Sequence, residues 1–208
     1  MVSETRKPLS LITWAFAARP LPGQSESGDR YVVRQIPNGV LVAVIDGLGH
    51  GPQAAAIARN AGQVFEKYAS EAPTLLLNRC HKRLLGTRGA AISLAVFNGQ
   101  DNTLTWLGVG NVEGTLFRRD VKTTPSRVSL LVRAGVVGYQ LPSLQASVVS
   151  IAQGDLLIIA TDGIRTEFTQ EIAVGLQPQQ VADHILSVYG KATDDALVLV
   201  VNYRGIPS

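Results

Sequence analysis

Two hydrophobic signatures alternate along the chain: short apolar runs closed by turn residues, and longer stretches with helical spacing. Val40–Ile45 is a run of six apolar residues, mostly β-branched or Leu, that ends on Asp46. A run of this kind, bounded by turn residues, marks a strand buried on both faces. Upstream, Tyr31–Ile36 has strand character, and Pro37-Asn38-Gly39 between the two runs predicts a hairpin. Residues equidistant from that turn face each other, so Asp29 is predicted to return to within a residue or two of Asp46.

Past Asp46 the pattern switches to helical. Pro52–Tyr68 places Ile57, Ala61, Val64, Phe65 and Tyr68 on one face, with Arg59, Asn60, Glu66 and Lys67 largely outside. A second helix is predicted over Pro73–Leu85, with Leu76, Leu77, Cys80 and Leu84 inward. Ala91–Phe97 and Leu104–Val109 form another hairpin, and Val112–Arg118, Val128–Val132 and Ser147–Ile151 are further short strands. Asp155–Thr161 repeats the buried-strand signature and runs into Asp162-Gly163. Gln177–Tyr189 is the last helix, with Pro178 in its first turn. Asp194-Asp195 then leads into a final buried strand, Ala-Leu-Val-Leu-Val-Val. At the other end, Arg6-Lys7 before Leu9–Ala18 has the outline of a secretory signal, but Ser10, Thr13 and Trp14 break the run into strand alternation. Leu9–Ala18 is therefore read as the first strand. This element order is not alternating βαβ. It predicts an α+β fold of mostly antiparallel sheets flanked by a few helices, as a single domain over residues 1–208.

Composition narrows the function classes. The chain has 208 residues, and 46% of them are hydrophobic, enough for a sizeable core. One cysteine, Cys80, excludes an intramolecular disulfide and a cysteine-rich zinc site, and fits a reducing compartment. A net charge of +3 gives no argument for nucleic acid, and no apolar stretch approaches the length needed to span a bilayer.

The aspartates change the picture. Asp46 and Asp162 follow buried-type strands, whereas Asp194 and Asp195 precede one. In antiparallel neighbours the end of one strand lies beside the start of the next, so these acids can gather at one end of the sheets, with Asp29 joining through the hairpin. Carboxylates a few ångströms apart repel unless protons or cations intervene. An oxygen-only donor set with few histidines selects a hard divalent cation, Mg²⁺ or Mn²⁺. An Asp-Gly step after a strand is commonly just a turn. Two after apolar strands, with Asp-Asp before a third and Asp29 returned by a hairpin, favour a cation site.

At these residues a family resemblance emerges. Ser27-Gly28-Asp29-Arg30, Val44-Ile45-Asp46-Gly47-Leu48-Gly49-His50-Gly51 with Ala54-Ala55, Thr161-Asp162-Gly163-Ile164 and Asp194-Asp195-Ala196-Leu197-Val198 resemble, in order, the motifs of the metal-dependent serine/threonine protein phosphatases, the protein phosphatase 2C family. The form Asp-Gly-x-Gly-x-Gly is similar to the bacterial SpoIIE-type branch. The resemblance implies a four-layer α-β-β-α sandwich of two mainly antiparallel sheets, with two Mn²⁺ or Mg²⁺ ions. It also implies hydrolysis of phosphoserine and phosphothreonine on partner proteins by a metal-activated water. By position it implies that Asp46 bridges both ions and the Gly47 carbonyl ligates one. Asp162 and Asp194 would hold the other, and Asp29 would act directly or through water. Asp46, Asp162 and Asp29 thus carry the catalytic assignment. Asp195 stands where the family often has Asn. Gly108-Val109-Gly110-Asn111-Val112-Glu113 and Gly135–Pro142, with the short length, are similar to stand-alone members of the branch that reset stressosomes. That implies phosphorylated STAS-domain scaffold proteins as partners, a cytoplasmic setting and a monomer, with no nucleic acid and no membrane.

Some positions depart from the family pattern. Leu48 stands where eukaryotic members often carry His, Leu197 replaces the usual Thr, and no Arg matches the family's phosphate-binding one. His50 and Arg30 are the candidates for phosphate or substrate, with Arg19 a further guess. Three rival readings exist. A dinucleotide loop fails because Pro52 takes the third glycine position of Gly-x-Gly-x-x-Gly. A catalytically weak phosphatase fold used as a binding module is opposed by the intact acid set. Arg79, His81, Lys82, Arg83 and Arg88 form a basic cluster that could serve as a phosphate or nucleic-acid surface, against the commoner reading of such a run as the solvated face of a helix.

Overall fold

The computed structural model describes residues 2–5 (backbone), 11–120, 122–170, 172 and 175–206. Two sheets lie face to face. The first has the order β1-β2-β12-β11-β7-β8, built from β1 (Val2–Thr5), β2 (Ile12–Arg19), β7 (Glu113–Phe117), β8 (Arg127–Leu130), β11 (Leu156–Ala160) and β12 (Ala196–Tyr203). The second has the order β10-β6-β5-β4-β3, from β3 (Asp29–Ile36), β4 (Gly39–Gly47), β5 (Ala90–Asn98), β6 (Thr103–Val109) and β10 (Ser147–Ser150). The two-residue β9 (Val132–Arg133) runs parallel beside β6; every other named pairing is antiparallel. Helices α1 (Gly51–Tyr68) and α2 (Pro73–Leu84) cover the outer face of the second sheet, and α3 (Pro178–Tyr189) covers the first. The four layers match the fold expected from the sequence.

Alternation along the strands builds the layers. On β4, Val40, Val42 and Val44 enter the core between the sheets, while Leu41, Ala43 and Ile45 pack under α1 and α2. On β12, Leu197, Leu199 and Val201 face the inter-sheet core and Ala196, Val198 and Val200 face α3. Both strands are buried on both faces, which explains their uninterrupted apolar runs. The helices bury the residues that their periodicity selects: Leu76, Leu77, Cys80 and Leu84 of α2 are all fully buried. Each such leucine contributes about 1.5–3 kcal/mol relative to exposure.

Element bounds shift by a residue or two, as helix and strand ends generally do. The predicted strand over Val128–Val132 is split into β8 and β9, which belong to different sheets. Strand β1 and a 3-10 turn over Thr166–Gln170 were not expected. Arg6, Lys7 and the predicted strand start at Leu9-Ser10 lie outside the described residues. Among the described residues no helix is long and apolar enough to cross a membrane.

Candidate functional site

The same alternation brings the acids together. In β3 and β4 the register sets Asp29 directly opposite Asp46. Asp46 shares the parity of Val40, Val42 and Val44, and Asp29 that of Tyr31 and Val33, so both side chains stand on the inter-sheet side. β11 ends against the start of β12, which places Thr161, Asp162, Asp194 and Asp195 at the matching end of the first sheet.

One hydroxyl joins the two halves. Thr161 Oγ1 donates to Asp29 Oδ2 at 2.8 Å and accepts from the Leu197 amide at 3.0 Å. Asp162 is oriented by Asn111, whose Nδ2 donates to Oδ2 at 2.7 Å, and its carbonyl accepts from Lys191 Nζ at 2.5 Å. Asp194 accepts from the Asp195 amide at 2.9 Å.

Asp195 is bound differently from the others. Its Oδ1 accepts from the Leu21 amide and its Oδ2 from the Gly28 amide, both at 2.7 Å, and it is buried. The Gly28 carbonyl in turn accepts from the Gly47 amide at 3.0 Å. This relay ties the loop between β2 and β3 to the ends of both sheets. Asp195 therefore positions the loop that delivers Asp29. An Asn in its place would turn an amide NH₂ toward one of the two N–H donors. Asp195→Asn is expected to lower stability by about 1–3 kcal/mol, the cost of one unsatisfied buried donor with its clash. Unchanged denaturant unfolding would contradict this.

The electrostatics are those of crowded carboxylates. Burial, then the charges of Asp162, Asp194 and Asp195, push Asp46 up to about 7. Burial and the neighbouring Asp46 hold Asp29 well above the usual carboxylate range, against the lowering effect of Thr161. Burial and Asp162 raise Asp194 as well, with Lys191 opposing. Among the described residues, no three His, Cys, Asp or Glu side chains are drawn together as a closed metal-ligand cluster. The donors are instead mutually repelling oxygens, a set that fits hard divalent cations. A cleft of about 350 Å³ opens beside Asp162, Asn111 and Lys191, and another of about 360 Å³ beside Asp29 and the rings of Trp14, Phe16 and Tyr31.

The other sequence candidates lie around this centre. Gly47 ends β4 and is buried, directly after Asp46. His50 is exposed at the residue preceding α1 and makes no side-chain cap to the helix. Arg30 points to the helix side of β3, 3.7 Å from Glu66 of α1. Arg19 Nη2 donates to the Lys191 carbonyl at 2.7 Å, securing the segment ahead of Asp194.

Arg88, which the sequence placed in the basic cluster, stands against the loop that follows Asp46. A Cβ on Gly49 would lie 2.5 Å from its Nη1, and Gly49 itself has φ +94°. Leu48 N–H donates to the Gly89 carbonyl at 3.0 Å, fixing the two loops together. No hydrogen-bond or ion-pair partner within the described residues occupies the exposed Arg88 guanidinium. Lys191 was not singled out from the sequence. Asn111 was noted only within a motif, and nothing local in either stretch signals its contact with Asp162.

The chain is similar to known proteins in sequence and in fold. The sequence pattern of the family described as stage II sporulation protein E (SpoIIE) matches residues 37–204. The phosphoserine phosphatase RsbX of Bacillus subtilis (strain 168) is 25% identical over 182 residues, covering 86% of this chain and 88% of that protein. A crystal structure of RsbX in complex with magnesium superposes with TM-score 0.85 at 22% identity, covering 97% of this chain and all of the other. A structure from work on the bacterial stressosome as a modular system controlling secondary messenger signalling gives TM-score 0.83 at 26% identity, over 92% of this chain and 99% of the other.

Proposed function

This chain belongs to the SpoIIE family, and from that premise we propose that it is a protein-serine/threonine phosphatase that resets a stressosome-type signalling complex. The observation that carries the reading is the convergence of Asp29, Asp46, Asp162 and Asp194, drawn from four separate places in the chain, at one end of the two sheets. Asp46, the Gly47 carbonyl, Asp162, Asp194 and Asp29 would hold two Mn²⁺ or Mg²⁺ ions. When bound, such ions supply an activated water and neutralise phosphoryl oxygens. The chain's own groups do the rest. Asn111 and Thr161 fix the rotamers of Asp162 and Asp29, and Asp195 holds the loop that carries Asp29. α1 begins at Gly51, shortly after Asp46, so the N–H groups of its first turn, Pro52 excepted, would be available to an incoming phosphate. Arg88 offers a planar, unpaired fork of donors at the rim.

The substrates proposed are phosphorylated STAS-domain scaffold proteins, met by a monomer in the cytoplasm. The test is Mn²⁺-dependent phosphate release from a phosphorylated STAS-domain protein, compared with the Asp46→Asn and Asp162→Asn variants. Binding of that protein without turnover, unchanged in the variants, would favour a binding module instead. Arg88→Ala is expected to raise KM for p-nitrophenyl phosphate and phosphoprotein alike by about tenfold or more, the value of a charge-assisted hydrogen bond. Equal KM values would remove Arg88 from phosphate binding.

A further inference from the structure

We propose that the outer face of α2, together with the turn that presents Tyr139, is a docking surface for an acidic face of the phosphoprotein substrate. The proposal rests on the phosphatase reading above and goes beyond it by locating where the protein part of the substrate is held.

The buried face of α2 accounts for Leu76, Leu77, Cys80 and Leu84. The opposite face carries Leu75, Asn78, Lys82 and, one residue past the helix, Leu85, all exposed and spaced i, i+3, i+7 and i+10. Leu75 and Leu85 are 54% and 58% exposed, where a merely solvated helix face would be polar. Tyr139 is 79% exposed on a turn that packs against the end of α2, and it is not a loose loop residue. Its turn is closed by hydrogen bonds from the Tyr139 and Gln140 amides to the Val136 carbonyl, and from the Val136 amide to the Gln140 carbonyl. Gly138 N–H donates to His81 Nδ1 at 3.0 Å, and a Cβ on Gly138 would lie 2.6 Å from that of Leu84. The turn that presents Tyr139 is thus seated on the last turn of α2, which leads directly into Leu85. A pre-ordered aromatic on a turn packed against the helix end that carries an exposed leucine has the composition of an interface anchor.

Charge selects the occupant. Between Ala72 and Gln100 there is no carboxylate, while Arg79, Lys82, Arg83 and Arg88 fall within it, and residues 134–154 carry no charge at all. Glu71, the nearest acid in sequence, is taken by Arg79 in a two-pronged pair at 2.6 and 2.8 Å. Arg83 is partly engaged by Asn60 at 3.0 Å. Lys82 has no partner among the described residues. An exposed surface that mixes leucine and tyrosine with unpaired cations complements an acidic, partly apolar protein surface. Lys82 and Arg88 are too few for the many phosphate contacts that nucleic-acid affinity needs. Position completes the argument. Arg88 lies against Gly49 and the Gly89 carbonyl accepts from Leu48, so the surface runs directly into the loop that follows Asp46. A substrate seated on it has its phosphoryl group within reach of the aspartates.

The test compares wild type with Leu85→Ser/Tyr139→Ser and with Lys82→Glu, each first checked for an unchanged thermal midpoint. Two substrates are used with Mn²⁺: p-nitrophenyl phosphate and a phosphorylated STAS-domain protein. Titration of that protein into each variant gives a binding readout that needs no turnover. Both variants are expected to lose about tenfold or more in KM and in affinity for the phosphoprotein, with hydrolysis of p-nitrophenyl phosphate within about twofold of wild type. Equal losses on both substrates, or phosphoprotein affinity unchanged in the variants, would overturn the surface. So would DNA binding tighter than phosphoprotein binding and lost in Lys82→Glu. Failure of wild type to hydrolyse either substrate, with variant-sensitive phosphoprotein binding retained, would overturn the phosphatase reading and leave the docking surface standing.

Discussion

Replacing Asp46 by Asn is expected to reduce Mn²⁺-dependent phosphate release by roughly three orders of magnitude, beyond the 10–100-fold that loss of an outer-shell partner costs. The same substitution is expected to stabilise the metal-free protein. At about pH 8 the wild-type carboxylate is ionised, desolvated and repelled by Asp162, Asp194 and Asp195. Asn keeps the shape and removes the charge. Discounted for relaxation, the gain is on the order of 2 kcal/mol, or about 4–8 °C in the thermal midpoint of a chain of this size. Opposite signs for activity and stability distinguish a strained functional carboxylate from a structural one. An aspartate serving as an ordinary turn or cap would lose stability on this change, and that result would sink the assignment. Asp195 supplies the internal contrast. Both its oxygens are already satisfied by amides, so Asp195→Asn should lower stability where Asp46→Asn raises it.

That contrast marks how far the sequence could be read. The facing of Asp29 and Asp46 followed from the turn at Pro37-Asn38, because a hairpin register is counted outward from its turn. The apolar runs before Asp162 and after Asp195 identified β11 and β12 because strands buried on two faces leave no polar position. Strand alternation also held a clue that went unused. Arg30 follows Asp29 within β3, so it must point to the opposite face, toward Glu66, and cannot join the carboxylates. The roles of Asp194 and Asp195 were less legible. Adjacent identical residues differ here only because the loop carrying Leu21 and Gly28, far away in the chain, folds over one of them. Asn111, Lys191 and Arg88 share that difficulty. Each acts across a contact between segments far apart in the chain, and no local pattern encodes such a contact. Lone β1, paired only along the edge of β2, gave no hydrophobic signal before Leu9.

Without divalent ions, stability should fall as pH rises from about 4 to about 7, and added Mn²⁺ should reverse the loss. Burial and the facing Asp162, Asp194 and Asp195 carry Asp46 from an ordinary 3.8 to about 7, and burial with Asp46 raises Asp29 in the same direction. Between those values the folded chain retains protons that the unfolded chain has released, so the slope of unfolding free energy against pH is negative. The contribution is fully present below the unfolded value and is gone once pH passes the folded one. Ion binding needs the deprotonated carboxylates, so Mn²⁺ competes with those protons and stabilises more at about pH 8 than at about pH 5. At a hundred times its dissociation constant it adds about 2.7 kcal/mol. Thermal midpoints measured across that range, with and without Mn²⁺, check both signs, and Asp46→Asn should flatten the metal-free curve. A metal-free midpoint that climbs steadily toward pH 8, indifferent to Mn²⁺, would mean that these aspartates do not share a site.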